Sequence, residues 1–391
     1  MEQSKAQDQT GTSVPEAHPK LAVVFTGGGA RAAYQAGVMR AIGKHLPELQ
    51  IPILTGVSAG AINTSFLASH RGPLGRSSEE LCEIWGRIEM KNVFRTDFPG
   101  LSRNALRWLF ALGAGGGGPR VTGLVDTAPL RDLLCWGLSA DDGPIPGIID
   151  NLDAGRLQAV AMLAVNYGTG QTVSWVDGRD FETWERPERV ARRTRLTVDH
   201  VMASSALPLL FPPIRLGDHW YGDGGIRLSA PLSPALHLGA ERILAVSPRY
   251  ARSQAEADQT TLQGKRVPPV QIAGNLLNAI FLDVLDQDVA RLERLNQVVR
   301  KLPPDERQGL KPVDILLLRP SIDLGKLAAE FESELPRTFR FLTRGLGTRD
   351  TESQDALSLL MFHPGYLRRL TDLAEKDTEA RMDEIRDLVC A

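Results

Sequence analysis

The chain has 391 residues, of which 42% are hydrophobic and 24% are charged, and its formal net charge is −2. This length and composition predict a globular protein with a sizeable buried core, as one large domain or two smaller ones. The near-neutral charge excludes general electrostatic attraction as the basis for binding nucleic acid or an anionic membrane. Three cysteines, Cys82, Cys135 and Cys390, are too few and too scattered for a disulfide framework or a zinc site, which predicts a reducing compartment and no bound metal.

The first residues are polar, and they carry none of the apolar stretch that a signal peptide needs. They predict a disordered leader over residues 1–20. No apolar run approaches the roughly 20 residues of a membrane-spanning helix. We therefore expect a cytoplasmic protein whose contact with membranes is peripheral.

Strands and helices alternate near the start of the chain. Residues 21–26 and 51–55 are short apolar runs that predict buried strands, and residues 31–45 between them predict a helix. Each strand ends in a glycine-rich turn that leads into a helix, which is the order of an α/β fold with a parallel sheet. Further strands are predicted at residues 157–166, 172–176, 219–221, 243–247 and 313–318.

A long, mostly helical insertion is predicted over residues 71–150, with a glycine run at residues 113–118. Within it, residues 98–119 combine Trp and Leu at helical spacing with arginines on the other side. Such a helix is either a mobile cover that rests on lipid when open, or a core helix packed on the sheet. We expect Trp85 and Trp136 to lie in the core.

The last third of the chain is predicted to be helix-rich and to pack on the edge of the sheet. Residues 251–266 are polar and predict a loop, and residues 270–301 predict a long amphipathic helix. The expected organisation is a leader over residues 1–20, a catalytic domain over 21–250 and a helix-rich region over 251–391.

The second strand ends in Gly56-Val57-Ser58-Ala59-Gly60, which fits the pattern G-x-S-x-G of a nucleophile elbow. In that turn a serine hydroxyl is held clear of the backbone, and glycines flank it because a Cβ would clash. Serine is also a good helix N-cap, so the pattern alone is weak evidence.

The first strand ends in Gly27-Gly28-Gly29-Ala30-Arg31-Ala32, where backbone amides can face a ligand at a helix N-terminus. Such a turn can bind a phosphate or hold an oxyanion. A dinucleotide site would need an acidic residue at the end of the second strand. Glu48 precedes that strand, and the strand leads into Ser58 instead, which favours the oxyanion interpretation.

A serine nucleophile needs a base, and Asp223 in the segment Tyr221-Gly-Asp-Gly-Gly225 is the best candidate. An ordinary tight turn would also explain an Asp-Gly pair. A Ser–Asp–His triad would need a later histidine. His237 lies in a predicted helix and His363 precedes a proline, so neither has a catalytic setting.

Four blocks in this order resemble the patatin-like phospholipase family: GGGARAAYQAGV at 27–38, GVSAGA at 56–61, ASSALPLLFPP at 203–213 and DGG at 223–225. The resemblance covers roughly residues 21–250. It implies a three-layer α/β/α fold with a mainly parallel sheet, to which the insertion and the helix-rich C-terminal region are added. One position departs from the family pattern, because Ala32 stands where the first motif usually ends in glycine.

The resemblance also implies the site residues. Ser58 would be the nucleophile and Asp223 the general base of a Ser–Asp dyad. Gly56 and Gly60 would shape the elbow, and Gly224 and Gly225 the supporting turn. The oxyanion hole would be formed by Gly27, Gly28, Gly29 and Ala30, with Arg31 nearby.

The expected activity is hydrolysis of carboxylic esters in phospholipids, lysophospholipids or acylglycerols, through an acyl-serine intermediate and without a cofactor. The expected partner is a lipid substrate at a membrane surface, and no nucleic acid. The alternatives are a Ser–Asp–His esterase for small soluble esters and a non-catalytic protein that binds lipid or nucleotide. Five arginines could face anionic headgroups or simply form a solvated surface: Arg186, Arg189, Arg192, Arg193 and Arg195.

Overall fold

The computed structural model of the protein describes residues 20–95, 123–253, 256, 284–335 and 355–390. Its centre is a ten-stranded sheet. The strands are β1 (Leu21–Phe25), β2 (Ile53–Val57), β3 (Ala159–Asn166), β4 (Thr172–Gly178), β5 (Glu185–Arg186), β6 (Arg189–Arg193), β7 (Ile214–Leu216), β8 (His219–Asp223), β9 (Arg242–Val246) and β10 (Asp314–Leu318).

The strands lie in the order β10-β9-β1-β2-β3-β4-β6-β5, and β8 pairs with both β3 and β7. From β10 to β3 all neighbours are parallel, whereas β4 and β8 run antiparallel to β3. The strands β1, β2 and β3 are buried along their whole length. This explains their continuous apolar sequences, because helices cover both faces of such a sheet.

Helices cover the two faces and enclose two separate hydrophobic cores. Alternate residues of β1 enter different cores, Val23 and Phe25 on one face and Ala22 and Val24 on the other. The helices are α1 (Ala33–His45), α2 (Ala59–Ser69), α3 (Leu74–Arg87), α4 (Met90–Val93), α5 (Ala128–Gly137), α6 (Pro146–Asp153), α7 (Val198–Ser204), α8 (Ser233–His237), α9 (Val284–Lys301), α10 (Leu324–Glu330), α11 (Asp355–Leu359), α12 (Pro364–Glu379) and α13 (Met382–Cys390). The predicted three-layer α/β/α architecture is confirmed.

The predicted strands are all present, with ends that differ by one or two residues. The short strands β5, β6 and β7 were not predicted. The sequence of β6 does not look like a strand, because three of its five residues are arginines. Only Val190 and Ala191 are buried, and Arg192 and Arg193 are exposed near the edge of the sheet. Four of the five clustered arginines are therefore part of the sheet, and Arg195 follows β6. The Arg193 guanidinium lies 4.0 Å from the centre of the Phe181 ring.

The insertion is helical where the structure describes it, in α3 to α6. The segment 98–119, predicted as a cover or a core helix, lies outside the described residues. Trp85 is buried as expected, but the prediction for Trp136 was wrong, since its exposed fraction is 69%. Leu130 and Leu134 mark the buried side of α5. Trp136 is exposed because it comes two residues after Leu134, and two residues of an α-helix turn by about 200°.

The C-terminal region extends the sheet and covers one face. The strand β10 pairs with β9, and α12 packs along α1. Polar contacts join the two helices, including a 3.0 Å hydrogen bond from the Tyr34 hydroxyl to Asp377 and a 2.7 Å ion pair between Arg40 and Glu375. No helix in the described part of the chain has the length and apolar character needed to cross a bilayer.

We propose that the C-terminal region and the catalytic domain unfold as one unit, and Leu370→Ala tests this. Leu370 is fully buried in the core that α1 and α12 share. The truncation should lower the free energy of unfolding by about 2–5 kcal/mol, because it leaves a cavity. In the parent and in Leu370→Ala, the urea transition followed by far-ultraviolet circular dichroism should coincide with the one followed by tryptophan fluorescence. Leu295→Ala, at a half-exposed site of α9, is the control and should change stability by less than about 1 kcal/mol. Two separate transitions would contradict the proposal.

Candidate active site

The strand β3 brings Ser58 and Asp223 together. Its residue Leu163 pairs with Val57, the last residue of β2, and its next residue Ala164 pairs with Asp223, the last residue of β8. The strands β2 and β8 approach from opposite directions along the same side of β3, so their ends meet. Ser58, one residue beyond Val57, therefore lies where Asp223 ends.

The Ser58 backbone has the geometry of an elbow, with φ 57° and ψ −134°. This conformation is strained for a residue with a side chain, and such strain is concentrated at functional sites. Ser58 directly precedes α2, whose N-terminal dipole favours negative charge nearby. Gly60 is required by packing, because a Cβ there would come within 2.6 Å of the carbonyl oxygens of Phe25 and Thr26. The elbow is thus pressed against the end of β1.

Two serines at the end of α7 tether the elbow to its neighbours. The Ser58 amide donates to Ser204 Oγ at 3.1 Å, and Ser204 Oγ donates to the Leu163 carbonyl at 2.6 Å. The Ser205 hydroxyl donates to the Ser58 carbonyl at 3.0 Å. The Asp223 amide donates to the Ala206 carbonyl at 3.0 Å. The block at 203–206 therefore holds both ends of the Ser58–Asp223 pair.

The Asp223 carboxyl is completely buried. Its Oδ1 accepts a 2.9 Å hydrogen bond from the Gly225 amide, which places Gly224 and Gly225 as the supporting turn. Burial raises the pKa of Asp223 to about 7, while the Ser58 hydroxyl and the Gly225 amide act in the opposite direction. The Ser58 contact is looser than a regular hydrogen bond, since Oδ2 has no partner at regular geometry among the described residues. Such contacts commonly tighten only when substrate binds.

The glycine turn after β1 lies beside Ser58. Gly29 has φ +54° and lines the same cavity as Ser58. Among the described residues, the amides of Gly28, Gly29 and Ala30 donate to no protein acceptor, whereas the Arg31 amide donates to the Gly28 carbonyl at 3.0 Å. The Arg31 guanidinium is buried and pairs with Asp355 at 2.6 Å. Arg31, which was expected beside the oxyanion hole, thus has both its amide and its guanidinium engaged elsewhere.

A buried amide network connects this turn to the nucleophile helix. Asn63 in α2 donates from Nδ2 to the Ala32 carbonyl and to Gln35 Oε1, both at 3.0 Å. Gln35 in turn donates to the Thr26 carbonyl at 2.7 Å. Trp85 Nε1 donates to Asn63 Oδ1 at 2.7 Å. One hydrogen-bonded network therefore joins the glycine turn, α2 and the Trp85 side chain.

An apolar cavity opens from Ser58. Its space is about 780 Å³, with its mouth to solvent included. Ser58 and Ser205 are the only polar side chains among the described residues that line it, and apart from glycines the rest of the lining is hydrophobic. Large side chains from several helices and from the block at 203–213 form its walls, among them Phe66, Leu81, Trp85, Leu134, Leu207 and Phe211. A cavity of this shape and polarity can hold an alkyl chain.

The histidines considered as alternatives are engaged elsewhere. His237 contacts the Ser233 carbonyl at 2.8 Å and stacks on Trp184, and His363 pairs with Glu334 at 3.2 Å. No histidine in the described ranges forms a hydrogen bond to Ser58 or Asp223. A search of the same residues finds no cluster of His, Cys, Asp and Glu with the arrangement of a metal site.

Sequence reasoning missed the roles of several site residues. Ser204 and Ser205 belong to a quoted block, but nothing in the pattern indicates that they bond to the elbow. Asn63 and Gln35 are spaced like ordinary helix residues, and their burial at 0% exposure is the only signal of a special role. Tyr167 also lies near the carboxyl, and burial together with the Asp223 charge raises the pKa of its phenol.

Comparison with solved structures gives matches at low sequence identity. VipD from Legionella pneumophila is 14% identical with a TM-score of 0.32, and the match covers 78% of this chain and 61% of that one. Human GIVD cytosolic phospholipase A2 is 12% identical with a TM-score of 0.48, covering 95% and 62%. ExoU of Pseudomonas aeruginosa, in complex with SpcU, is 18% identical with a TM-score of 0.28, covering 84% and 60%. The chain thus spans about three fifths of the length of these proteins.

No protein with curated annotation matches the sequence. The family comparison does match: the model of the patatin-like phospholipases aligns with residues 23–236, more than half of the chain. The matched range contains Ser58, Asp223 and the glycine turn between β1 and α1. The chain belongs to the patatin-like phospholipase family.

Proposed function

We propose that the protein hydrolyses carboxylic esters of phospholipids, lysophospholipids or acylglycerols with Ser58 as nucleophile and Asp223 as general base. The observation that supports the proposal is the convergence of β2 and β8 on adjacent residues of β3, together with the apolar cavity that Ser58 lines. The reaction needs no group beyond the chain itself and water. The proposed setting is a membrane surface reached from the cytoplasm.

In the first half-reaction Ser58 Oγ attacks the ester carbonyl carbon while its proton moves to Asp223. The carbonyl oxygen becomes an oxyanion, which the amides of Gly28, Gly29 and Ala30 would stabilise. The carbon–oxygen bond to the alcohol then breaks, and the alcohol leaves with the proton that Asp223 held. In the second half-reaction water attacks the acyl carbon and gives a proton to Asp223. The bond from that carbon to Ser58 Oγ then breaks, Oγ takes the proton back from Asp223, and the free acid leaves.

Burial makes a carboxylate effective as this base. An ordinary aspartate is far too weakly basic near neutral pH, and a raised pKa brings its basicity closer to what proton transfer requires. The same burial excludes water, which would otherwise solvate the carboxylate and the oxyanion. The apolar lining of the cavity supports an acyl chain as the group bound beside Ser58.

Ser58→Ala and Asp223→Asn should each lower turnover of a phospholipid or a lysophospholipid by about 10³-fold or more. The turnover of the double variant should lie within a few-fold of that of the less active single variant, because nucleophile and base act as one unit. Fatty-acid release from mixed micelles measures this, with circular dichroism to confirm that each variant is folded.

His237→Ala and His363→Ala are the matched controls for the dyad. Both should retain turnover within about three-fold of the parent, since neither imidazole contacts Ser58 or Asp223. A loss comparable to that of Ser58→Ala in either folded variant would contradict the dyad and favour a Ser–Asp–His esterase. The same panel should include a short-chain nitrophenyl ester, on which such an esterase would be faster than on lipid.

The activity should increase with pH through about 7, the value to which burial raises the pKa of Asp223. The base acts only when deprotonated, so kcat/KM should rise about ten-fold per pH unit below 7 and level off above it. A profile measured from pH 5 to 9 tests this, with a neutral ester so that the substrate does not titrate. A profile that is already level at pH 5 would contradict the assignment of Asp223 as the base.

Asp223 should also make the fold less stable as pH rises. The unfolded chain releases the Asp223 proton near pH 4 and the folded protein only near 7, so stability falls between these values. Asp223→Asn removes this penalty. The variant should therefore unfold at a higher temperature than the parent at pH 8, with a much smaller gain at pH 4. Equal gains at both pH values would show that the carboxyl does not titrate as proposed.

A further inference from the structure

The family match ends at residue 236, but the site is bordered by a segment more than 100 residues beyond it. This segment, which we call the C-terminal brace, comprises α11 and the residues that follow it, 355–362. The Leu359 carbonyl lies against Gly29 so closely that a Cβ on that glycine would overlap it. Phe362 lines the same cavity as Ser58. The brace thus contacts both the oxyanion turn and the cavity.

Arg31 is the point at which the brace and the turn are connected. Its guanidinium, with 3% of the side chain exposed, forms an ion pair from Nη2 to Asp355 Oδ1 at 2.6 Å. The same nitrogen lies 3.3 Å from the Asp355 carbonyl, and Nε donates to Ser358 Oγ at 2.7 Å. All three groups that bind the Arg31 guanidinium here, the Asp355 carboxylate, the Asp355 carbonyl and the Ser358 hydroxyl, belong to the brace.

The backbone transmits this attachment to the oxyanion turn. The Arg31 amide closes the turn by its hydrogen bond to the Gly28 carbonyl, and Gly29 and Ala30 lie between these two residues. The guanidinium cannot move away cheaply, because a buried charge without a partner costs several kcal/mol. Fixing the side chain of Arg31 consequently fixes the direction of the free amides beside Ser58.

Asp355 is itself held in place from outside the turn. Arg252 lies 3.4 Å from its carboxylate and forms a 2.8 Å ion pair with Asp323, which caps the N-terminus of α10. The four charges, Arg31, Asp355, Arg252 and Asp323, alternate in sign. The network connects the turn to helices of the C-terminal region, and Arg31, Asp355 and Asp323 are largely buried, whereas Arg252 is partly exposed to solvent.

We propose that Asp355 is a positioning residue for ester hydrolysis, which acts through Arg31 to orient the amides of Gly28, Gly29 and Ala30 toward the oxyanion. This inference rests on the proposed function for its catalytic consequence, but the coupling between the brace and the turn does not depend on it. The patatin-like motifs by themselves would then form an incomplete site, and residues 355–362 complete it.

The test compares Asp355→Asn with Asp377→Asn in the full-length protein. Asp377 also joins the C-terminal region to the rest of the chain, because it accepts hydrogen bonds from the Tyr34 hydroxyl and the Ser321 amide at 3.0 Å, but it has no contact with the turn. Asp355→Asn should lower kcat by about 10- to 100-fold with KM changed less than three-fold, since displaced oxyanion donors act mainly in the transition state. Asp377→Asn should leave both within about three-fold.

An oxyanion-forming inhibitor separates positioning from general loosening. Ser58 Oγ adds to the carbonyl carbon of a long-chain alkyl trifluoromethyl ketone, its proton passes to Asp223, and the former carbonyl oxygen lies in the hole with a negative charge. The matching long-chain alcohol occupies only the cavity. In Asp355→Asn the affinity for the ketone should fall by the same factor as kcat, and the affinity for the alcohol should not change. Asp355→Glu, which restores the charge, should recover most of the affinity. Ser358→Ala provides a milder change, with a loss of about three-fold in the same direction.

If wild-type protein hydrolyses the ester, unchanged ketone affinity in Asp355→Asn would overturn the inference. If it hydrolyses none of the esters, the proposed function fails, and hydrogen exchange decides the inference by itself. The Arg31 amide, which donates to the Gly28 carbonyl, should then exchange at least about ten-fold faster in Asp355→Asn than in Asp377→Asn, because local opening of the turn breaks that hydrogen bond. Equal exchange rates in the two variants would refute the coupling.

Discussion

The pairing of β2 and β8 along one side of β3 is the constraint on which the rest of the site depends. The two strands run toward each other, and their ends meet where β2 pairs with Leu163 and β8 pairs with Ala164 of β3. Both proposed reactive side chains belong to residues at this meeting point. The elbow strain at Ser58, the tethers from Ser204 and Ser205 and the burial of Asp223 all maintain this junction. A shift of either strand by one residue would turn its end to the other face of the sheet.

The junction is expensive for stability, and the surrounding structure compensates for it. A positive φ at a serine and a carboxyl with an oxygen lacking a regular partner each destabilise the folded chain. Two cores on opposite faces of the sheet stabilise it, together with the amide network around Asn63 and Gln35. The strain therefore persists because many other contacts define the same geometry, and this geometry is what presents Ser58 to the apolar cavity.

Short stretches of sequence were enough to predict the parallel strands and the turns where the site lies. Continuous apolar runs gave the parallel strands, and glycine turns after β1 and β2 indicated where reactive groups would gather, because parallel strands end at one edge. Other features left no local trace. The strand β6 is interrupted by arginines, and Trp136 lies among leucines although it faces outward. Arg31 was expected beside the oxyanion hole, but its buried guanidinium turns to Asp355, a residue 324 positions away.

The sequence by itself determined the α/β architecture, the family and the identity of the proposed nucleophile and base, because each of these depends on residues adjacent in the chain. A strand followed by Gly-x-Ser-x-Gly can be recognised wherever it stands. Only the tertiary structure decided that Ser58 and Asp223 meet, that burial raises the pKa of Asp223, and that residues 355–362 border the turn. Those properties arise from strand register and packing between distant segments, for which no short pattern of residues exists.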